Sequence, residues 1–292
     1  MAKQLGYACI NMALSEQGIS CNRSMIRRTF DAKGIDYASE LIISNMKSLL
    51  HLIHWNNEND IKVYRMSSNM FPWMSEYEFK DLPDYKEICD LLTAVGKLAM
   101  DNNQRLSFHP GQFCVLASPS EKVVLNAMNE LNKSAQIMDL MGLPNSRMSK
   151  INIHVGGAYG DKKSALERFC KNYLRTSASV QAKLTVENDD KASMYSVQDL
   201  YEGVYKVVGI PIVFDYHHHQ FCTGDMTEEQ ALKLAAKTWI GVKQCTHYSE
   251  SRRREQTLIV EDIMAKNKIT EQTLQDWPTI AKLHKEVSKI KV

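Results

Sequence analysis

The stretches Ile151-Asn152-Ile153-His154-Val155 and Ile210-Pro211-Ile212-Val213-Phe214 decide the fold of this chain. Each is a short, almost continuous run of apolar and β-branched residues. Such runs are typical of strands that are buried on both faces, as they are in a parallel sheet. Similar runs occur on both sides of these two in the sequence, and helical patterns lie between them.

The chain alternates short strands with longer helices. The predicted strands span residues 5–11, 63–68, 105–109, 150–154, 183–187, 211–215 and 241–247. The helical patterns span residues 37–56, 85–102, 125–141, 164–175, 196–207, 227–239, 259–267 and 270–289. Thr227, followed by two glutamates, is a typical helix start. Strand and helix in alternation predict right-handed βαβ units and a mostly parallel sheet.

The sheet is expected to close into a barrel. An open doubly wound sheet usually carries a glycine-rich turn after its first strand, whereas this strand runs into Ile10-Asn11-Met12. The fold class is therefore predicted as α/β, a TIM-type (β/α)8 barrel, in a single domain that spans residues 1–292. Only seven strands can be placed. We therefore expect that the eighth strand is missing from this chain, which is incomplete at its C-terminus.

The composition indicates where the protein works in the cell but does not identify its function. The 36 basic and 34 acidic residues give a net charge of +2, which neither requires nor excludes a nucleic-acid partner. No apolar run approaches the roughly 18 residues that span a membrane, and the N-terminus lacks a signal-peptide pattern. The seven cysteines form no CxxC pair, so we expect reduced thiols in an intracellular protein of the cytoplasm or, in a eukaryote, the nucleus. No membrane association or obligate protein partner is indicated.

The ends of the predicted strands carry the chemistry. Six of the nine histidines lie there, together with Glu187 and Asp215: His109, His154, His217, His218, His219 and His247. In a TIM barrel, the active site lies at the C-terminal ends of the strands. A single histidine at a strand end is more often hydrogen-bonded to the backbone, but five successive strand ends favour a metal site. Imidazoles and carboxylates together suit zinc, manganese or iron, and a glutamate can bridge two ions.

At these residues the sequence resembles the UV damage endonuclease (UVDE) family. The matching motifs are Leu5-Gly6-Tyr7-Ala8-Cys9-Ile10-Asn11, Tyr64-Arg65-Met66-Ser67-Ser68, Phe108-His109-Pro110-Gly111-Gln112-Phe113, Ile153-His154-Val155-Gly156-Gly157, Glu187-Asn188-Asp189, Asp215-Tyr216-His217-His218 and Thr246-His247-Tyr248-Ser249. Each motif is weak alone, but together they follow the family order. The resemblance implies a barrel related to endonuclease IV that holds up to three divalent ions, with manganese expected first and zinc or magnesium as alternatives.

The resemblance also assigns residues to the metal centre. The implied ligands are His109, His154, Glu187, Asp215, His218 and His247. Glu187 would be the bridging carboxylate, and Glu187, His109 and His247 would be catalytic. His217 and His219 match no ligand position, so we expect them to support the ligands or to face solvent.

The implied partner is damaged double-stranded DNA, and the implied reaction is hydrolysis of the phosphodiester immediately 5′ to a lesion. Gln112 and Phe113 match a glutamine–aromatic pair that family members wedge into DNA beside the lesion. Tyr7 and Asn11 match positions that line the lesion pocket. Candidate phosphate contacts are residues 162–163 and 252–254, which are lysines and arginines.

The sequence departs from the family pattern at several places. Phe113 stands where the wedge is often tyrosine. Glu76 lies near a position at which some relatives carry a metal-binding histidine, and it could replace that ligand. Relatives place a lysine two residues before the histidine of strand seven. Cys245 occupies that position here, and Lys243, two residues further back, is the candidate to take over the role of that lysine at the metal centre.

The largest departure lies beyond His247. Relatives continue with a His-Ser/Ala-Asp-Tyr segment and an eighth strand that bears a glutamate ligand. No such motif follows here, so one histidine and one glutamate would be missing from the metal cluster.

Three other functions remain open on the sequence. The first is an abasic-site endonuclease like endonuclease IV, with the same metals. The second is a metal-dependent sugar isomerase or epimerase of the same barrel class, which would need no DNA wedge. The third is a non-catalytic lesion-binding protein, since the missing strand would remove two ligands.

Overall fold

The computed structural model describes residues 4–249, 252–270, 279, 282 and 283. The chain divides into two compact units, Met1–Thr246 and His247–Val292. The assignment of residues 1–292 to a single domain stays a prediction. Among the described residues, no helix has the length and apolar character that a membrane crossing requires.

Seven strands form one sheet in which the strands follow each other in chain order. They are β1 (Gly6–Ala8), β2 (Val63–Met66), β3 (Arg105–Phe108), β4 (Ile151–Ile153), β5 (Leu184–Glu187), β6 (Ile212–Asp215) and β7 (Thr246–His247). Neighbouring strands from β1 to β6 are parallel. This sequential parallel order, with helices as the crossovers, confirms the TIM-type fold. The described residues contain no eighth strand.

Helices connect the strands. They are α1 (Met12–Ser15), α2 (Arg27–Glu58), α3 (Tyr85–Asp101), α4 (Glu121–Leu140), α5 (Lys162–Tyr173), α6 (Ala178–Lys183), α7 (Val197–Leu200), α8 (Lys206–Val208), α9 (Tyr216–His219), α10 (Glu228–Ala236) and α11 (Arg252–Lys266). A π-helical turn (Tyr201–Tyr205) joins α7 to α8. Short 3-10 turns lie at Ser68–Met70, Met74–Glu76, Phe79–Asp81 and Arg147–Ser149. Most of the predicted helix at 270–289 lies outside the described residues.

The observed boundaries differ from the predicted ones where the backbone or a cap intervenes. Strand β1 ends at Ala8 instead of residue 11 because Cys9 adopts a left-handed φ of 59°. Helix α2 begins before residue 37 because Gly34, with φ 65°, joins two helical segments across a kink. Thr227 caps α10 as predicted, since its side chain accepts from the Gln230 N–H and the Gln230 side chain accepts in return from Thr227.

The strands are buried as their composition predicts. Every residue of β3, β4, β5 and β6 is buried, so both faces of these strands are covered. Helix α3 turns Ile88, Leu92, Val95 and Ala99 inwards at helical spacing, and all four are buried. The core therefore lies in and around the sheet, and the ends of the strands are left for polar residues.

Arg105 ties the N-terminal ends of several strands together. It begins β3, is only 6% exposed, and donates three hydrogen bonds to backbone carbonyls. The acceptors are Met148 O at 2.9 Å, Arg147 O at 2.7 Å and Lys243 O at 2.7 Å. Its guanidinium also lies 5.2 Å from the Trp239 ring centroid. One side chain thus joins β3 to the segments that precede β4 and β7.

Replacement of Arg105 should therefore destabilise the fold. We expect Arg105→Met to lower the free energy of unfolding by about 3 kcal/mol, because three backbone carbonyls lose the buried guanidinium that donates to them. Urea denaturation at pH 7 measures this change. The matched control is Arg175→Met, at an exposed arginine that pairs with Glu121, and it should shift the midpoint far less. Equal midpoints for the two variants would contradict the assigned role of Arg105.

Candidate metal centre

Glu187 lies at the centre of the candidate site. It is the last residue of β5 and is 2% exposed. His109 Nε2 lies 3.9 Å from Glu187 Oε2, and His218 Nδ1 lies 3.6 Å from Oε1. The Asn152 side-chain N–H donates to Oε2. Both oxygens of this buried carboxylate therefore face polar neighbours from other strands.

Two groups of converging ligand atoms share this carboxylate. The first contains His109, His154 and Glu187, and the second contains Glu187, Asp215 and His218. Within each group, one ligand atom from each residue lies within 4.8 Å of the others. The structure thus brings together five of the six ligands that the sequence predicts. A glutamate common to both groups has the arrangement of a bridging ligand, while the binding of metal itself stays a prediction.

The ring of His109 is oriented by the backbone beside it. Its Nδ1 lies 2.9 Å from Pro110 O. A carbonyl only accepts, so Nδ1 carries the proton and Nε2 presents its lone pair on the side of Glu187. Burial lowers the pKa of His109 to about 4, although the charge of Glu187 opposes this shift. The imidazole is therefore neutral at pH 7, as a metal ligand must be.

His218, in α9 after β6, is held in the same way. Its Nδ1 lies 2.9 Å from Asn188 O, so Nδ1 is the donor and Nε2 is directed away from this contact. Asp215 ends β6 and caps α9, since its Oδ1 accepts from the His218 N–H at 2.9 Å. The Asn188 side chain donates to Asp215 O at 3.1 Å and accepts from the Asp215 N–H at 2.8 Å. These bonds fix the ends of β5 and β6 against each other.

His154 completes the group of imidazoles. Its ring centroid lies 6.0 Å from that of His109 and 5.5 Å from that of His218. Its Nδ1 is 2.9 Å from Asp189 Oδ1, close enough for an ion pair but not aligned as a hydrogen bond. Burial alone would lower the pKa of His154, but Asp189 and Glu187 outweigh it and raise the pKa. The carboxylates of Asp189 and Glu187 therefore favour positive charge at the His154 ring.

A chain of buried polar groups lies beneath Glu187. The Thr185 hydroxyl donates to Asn152 Oδ1 at 2.8 Å, which turns the amide N–H of Asn152 towards the carboxylate. Lys150, immediately before β4, is fully buried, and burial lowers its pKa while the charges of Cys245 and Glu187 oppose this. The sequence analysis missed these residues. The available signal was a polar residue inside an otherwise apolar strand, as Asn152 is.

The predicted wedge residues lie on a tight turn after β3. The Cys114 N–H donates to Gly111 O at 3.0 Å, and the Gly111 N–H donates to Glu130 Oε1 at 2.7 Å. Gln112 is exposed at the tip of this turn, and Phe113 is 80% exposed. A phenylalanine held so far into solvent contributes little to the fold, so its exposure fits a binding role.

The predicted pocket residues contact each other at the end of β1. The Asn11 side chain donates to the Tyr7 hydroxyl at 2.9 Å, and that hydroxyl donates to Asn56 Oδ1 at 2.7 Å. Asn11 also accepts from the Leu14 N–H and caps α1. Tyr7 is half-buried and its ring centroid lies 5.2 Å from that of Tyr64. The pair therefore forms a rigid polar wall.

Three predicted metal residues belong to neither group of converging ligand atoms. Glu76 lies in a 3-10 turn, and its carboxylate is 3.3 Å from Arg27. Lys243 lies before β7, and its backbone carbonyl binds Arg105 at the N-terminal end of β3, away from the strand ends that bear the ligands. His247 is the last residue of β7 and the first residue of the second unit. Ligand roles for these three residues stay predictions.

The remaining predicted residues are the two other histidines of the triple at 217–219 and the candidate phosphate contacts. His219 does not face solvent: it is 4% exposed and its ring lies 5.3 Å from that of Phe214. His217 packs edge-on against the exposed Phe221 at 5.2 Å. Of the candidate phosphate contacts, Lys162 lies 3.4 Å from Asp199. The side chains of residues 252–254 lie outside the described part of the chain.

The UV-endonuclease UvdE family matches residues 3–286. The chain belongs to this family. It is 36% identical over 260 residues to the UV-damage endonuclease of Schizosaccharomyces pombe, a match that covers 85% of this chain and 42% of the relative. It is 35% identical over 207 residues to the UV DNA damage endonuclease of Bacillus cereus strain G9842, covering 70% of this chain and 62% of the relative. The chain thus matches less than two thirds of either protein.

A solved structure of the UvdE family has the same fold. The crystal structure of SacUVDE superposes with a TM-score of 0.77 at 29% identity, and the match covers 86% of this chain and 82% of SacUVDE. The family that the sequence motifs indicate is therefore confirmed. The barrel expected from those motifs is confirmed with it.

Asn152 should set the affinity of the UvdE-family centre for a divalent ion. We expect Asn152→Leu to weaken manganese binding by about 10- to 100-fold, because Glu187 loses the donor that orients it. Calorimetric titration of the metal-free protein measures this affinity. Asn129→Leu is the matched control, because the Asn129 amide bonds Ser75 O and not the cluster. Equal affinities for both variants would contradict the orienting role.

Glu130 provides a test of the turn that carries Phe113. Burial raises the pKa of Glu130, and the Gly111 N–H opposes this. A raised carboxyl pKa means that the folded state binds more protons, so stability is lost as the pH rises through that pKa. Glu130→Gln keeps the acceptor and removes the charge. We therefore expect it to be more stable than the parent at pH 7, with the difference shrinking below the ordinary pKa of 4.5.

Urea denaturation between pH 4 and pH 7 measures this change in stability. The control variant, Glu121→Gln, should change the stability in the opposite direction. A hydrogen bond from Arg175 lowers the pKa of Glu121, so its contribution is present above the unfolded pKa and lost as the pH falls. Glu121→Gln should therefore be less stable than the parent at pH 7. A stability difference for Glu130→Gln that does not vary with pH would contradict the assignment.

Proposed function

We propose that this chain is a metal-dependent endonuclease that hydrolyses DNA at UV lesions, cutting the phosphodiester immediately 5′ to the damage. One observation carries the proposal: the two groups of ligand atoms that share the buried Glu187 lie at the same end of the barrel as the exposed Phe113 turn. Membership of the UvdE family supports the DNA-repair reaction over other metal-dependent reactions.

The donor set fits divalent ions. His109 and His218 each direct Nδ1 to a backbone carbonyl, which is the usual arrangement of a metal-binding histidine. With His154, Asp215 and the central Glu187, they would hold the ions. Mixed nitrogen and oxygen donors suit manganese or zinc better than magnesium. When bound, up to three such ions supply Lewis acidity that activates water and stabilises the charge on the phosphoryl oxygens.

The protein's own residues then bind and orient the substrate. Tyr7 and Asn11 would form one wall of the lesion pocket, because their side chains are fixed by hydrogen bonds to each other and to Asn56. A damaged dinucleotide stacks and pairs poorly, so it is extruded at lower cost than normal bases. Phe113 would occupy the space that it leaves, with Gln112 beside it.

The surface around the centre supports a nucleic-acid partner. Exposed large apolar side chains follow β1, β3, β4 and β6, namely Ile10, Met12, Phe113, Tyr159 and Phe221. Three of them are aromatic, and base–aromatic contacts contribute affinity for unpaired nucleotides. A sugar isomerase or epimerase would gain nothing from such a surface, which disfavours that alternative. An abasic-site endonuclease shares both the metals and the surface, so only its substrate preference separates it.

Nicking assays with full-length protein and added manganese test the proposal. The substrates are matched duplexes that carry a UV photoproduct, an abasic site or no damage. We expect cutting 5′ to the photoproduct and little cutting of undamaged DNA. Preference for the abasic duplex would favour the abasic-site enzyme, and lesion binding without any cutting would favour a non-catalytic lesion-binding protein.

Glu187→Gln should abolish both cutting and metal binding. The amide is nearly isosteric but cannot bridge cations as a carboxylate does, so we expect bound metal to fall after dialysis and nicking to fall at least about 100-fold. Elemental analysis gives a readout besides activity. Glu202→Gln, at an exposed glutamate paired with Lys206, is the matched control and should change neither. Retained metal and retained nicking in Glu187→Gln would reject the metal centre.

A further inference from the structure

Tyr159 occupies an unusual position in the loop that follows β4 and His154. It is 49% exposed and adopts a left-handed φ of 51°. A bulky residue other than glycine rarely adopts this conformation, and such strain collects at binding sites. Gly156 and Gly160 on either side also have positive φ values, of 99° and 83°. The loop is therefore built to hold this one aromatic ring outwards.

The ring of Tyr159 is supported from behind. The guanidinium of Arg168 lies 5.6 Å from its centroid. A Cβ at Gly157 would lie 3.1 Å from Tyr159 Cζ, so the ring rests against that glycine. The carbonyl of Gly157 in turn accepts from the Tyr195 hydroxyl at 3.3 Å. The position of Tyr159 is thus fixed by packing, while about half of it stays open to solvent.

Two contacts join this loop to the turn that carries Phe113. A Cβ at Gly156 would lie 2.2 Å from Val115 Cγ1, so the two loops pack without a gap there. Arg168 Nε donates to Ala117 O at 2.9 Å. Val115 and Ala117 follow Phe113 in the same loop. Tyr159 and Phe113 therefore belong to one connected surface at the end of the barrel that bears His109 and His154.

We propose that Tyr159, backed by Arg168, is a second DNA-contacting aromatic that stacks on an unpaired base of the damaged duplex. This inference rests on the proposed function. A preformed ring needs little ordering on binding, and a cation behind it offsets phosphate charge nearby. Phe113 and Tyr159 would then contact separate bases, so damage that leaves two bases unpaired is bound more tightly than damage that unpairs one.

Binding assays in EDTA, where hydrolysis is suppressed, test this role. Tyr159→Ala should weaken binding to a photoproduct duplex by about 5- to 150-fold, which is the range for loss of one base–aromatic stack. Tyr159→Phe keeps the ring and should bind like the parent. Tyr205→Ala is the matched control: this half-buried tyrosine stacks on Tyr201 at 5.4 Å, away from the strand ends. It should leave binding unchanged.

A fluorescent base gives a readout that a purely structural role would not change. With 2-aminopurine opposite the lesion, stacking on Tyr159 should quench the fluorescence, and Tyr159→Asn should restore it. Asparagine tolerates the left-handed φ, so this variant removes the ring without new strain. The inference alone is overturned if the parent prefers the lesion duplex and both Tyr159→Ala and Tyr159→Asn bind that duplex as tightly as the parent does. If Tyr159→Phe loses as much affinity as Tyr159→Ala, stacking is overturned. A parent without preference for damaged DNA overturns the proposed function and the inference together.

Discussion

The burial of the Glu187 carboxylate is the constraint on which this end of the barrel depends. An ionised carboxylate that is 2% exposed costs several kcal/mol unless donors and cations surround it. Asn152 supplies one donor, and the neighbouring charge of Lys150 supplies part of the positive field. The neutral His109 supplies lone pairs and no charge. Divalent ions would provide the remaining compensation, which is a physical reason to expect a metal beside this carboxylate.

The parallel sheet makes this arrangement possible. Strands β3 to β6 are parallel neighbours, so their C-terminal ends lie at the same edge of the sheet. His109, His154, Glu187 and Asp215 lie at these ends and converge although they are far apart in sequence. The opposite ends of the strands have a different task. There Arg105 binds backbone carbonyls before β4 and β7 and holds the register of the barrel. Stability and chemistry are thus separated along the strand axis.

The sequence could predict what depends on local pattern. Runs such as that ending at Val155 located the strands, and the strand ends located the ligands, because a parallel fold places them at one edge. The sequence could not predict the tautomer of His109, the alignment of Asn152 or the reach of Arg105, which depend on contacts between distant segments. The kink at Gly34 and the left-handed Cys9 were missed because a single backbone angle decides them.

The residues proposed for DNA recognition and those proposed for metal binding lie on the same loops. His109 and Phe113 lie on the same short segment after β3, and His154 and Tyr159 lie on the next one. These two segments pack against each other at Gly156, where no side chain could be added without displacing Val115. If a base seats against either ring, as proposed, it would act on the same packed unit that holds two of the proposed metal ligands. Lesion fit would then influence the geometry of the proposed centre, and specificity would be a property of catalysis as well as of binding.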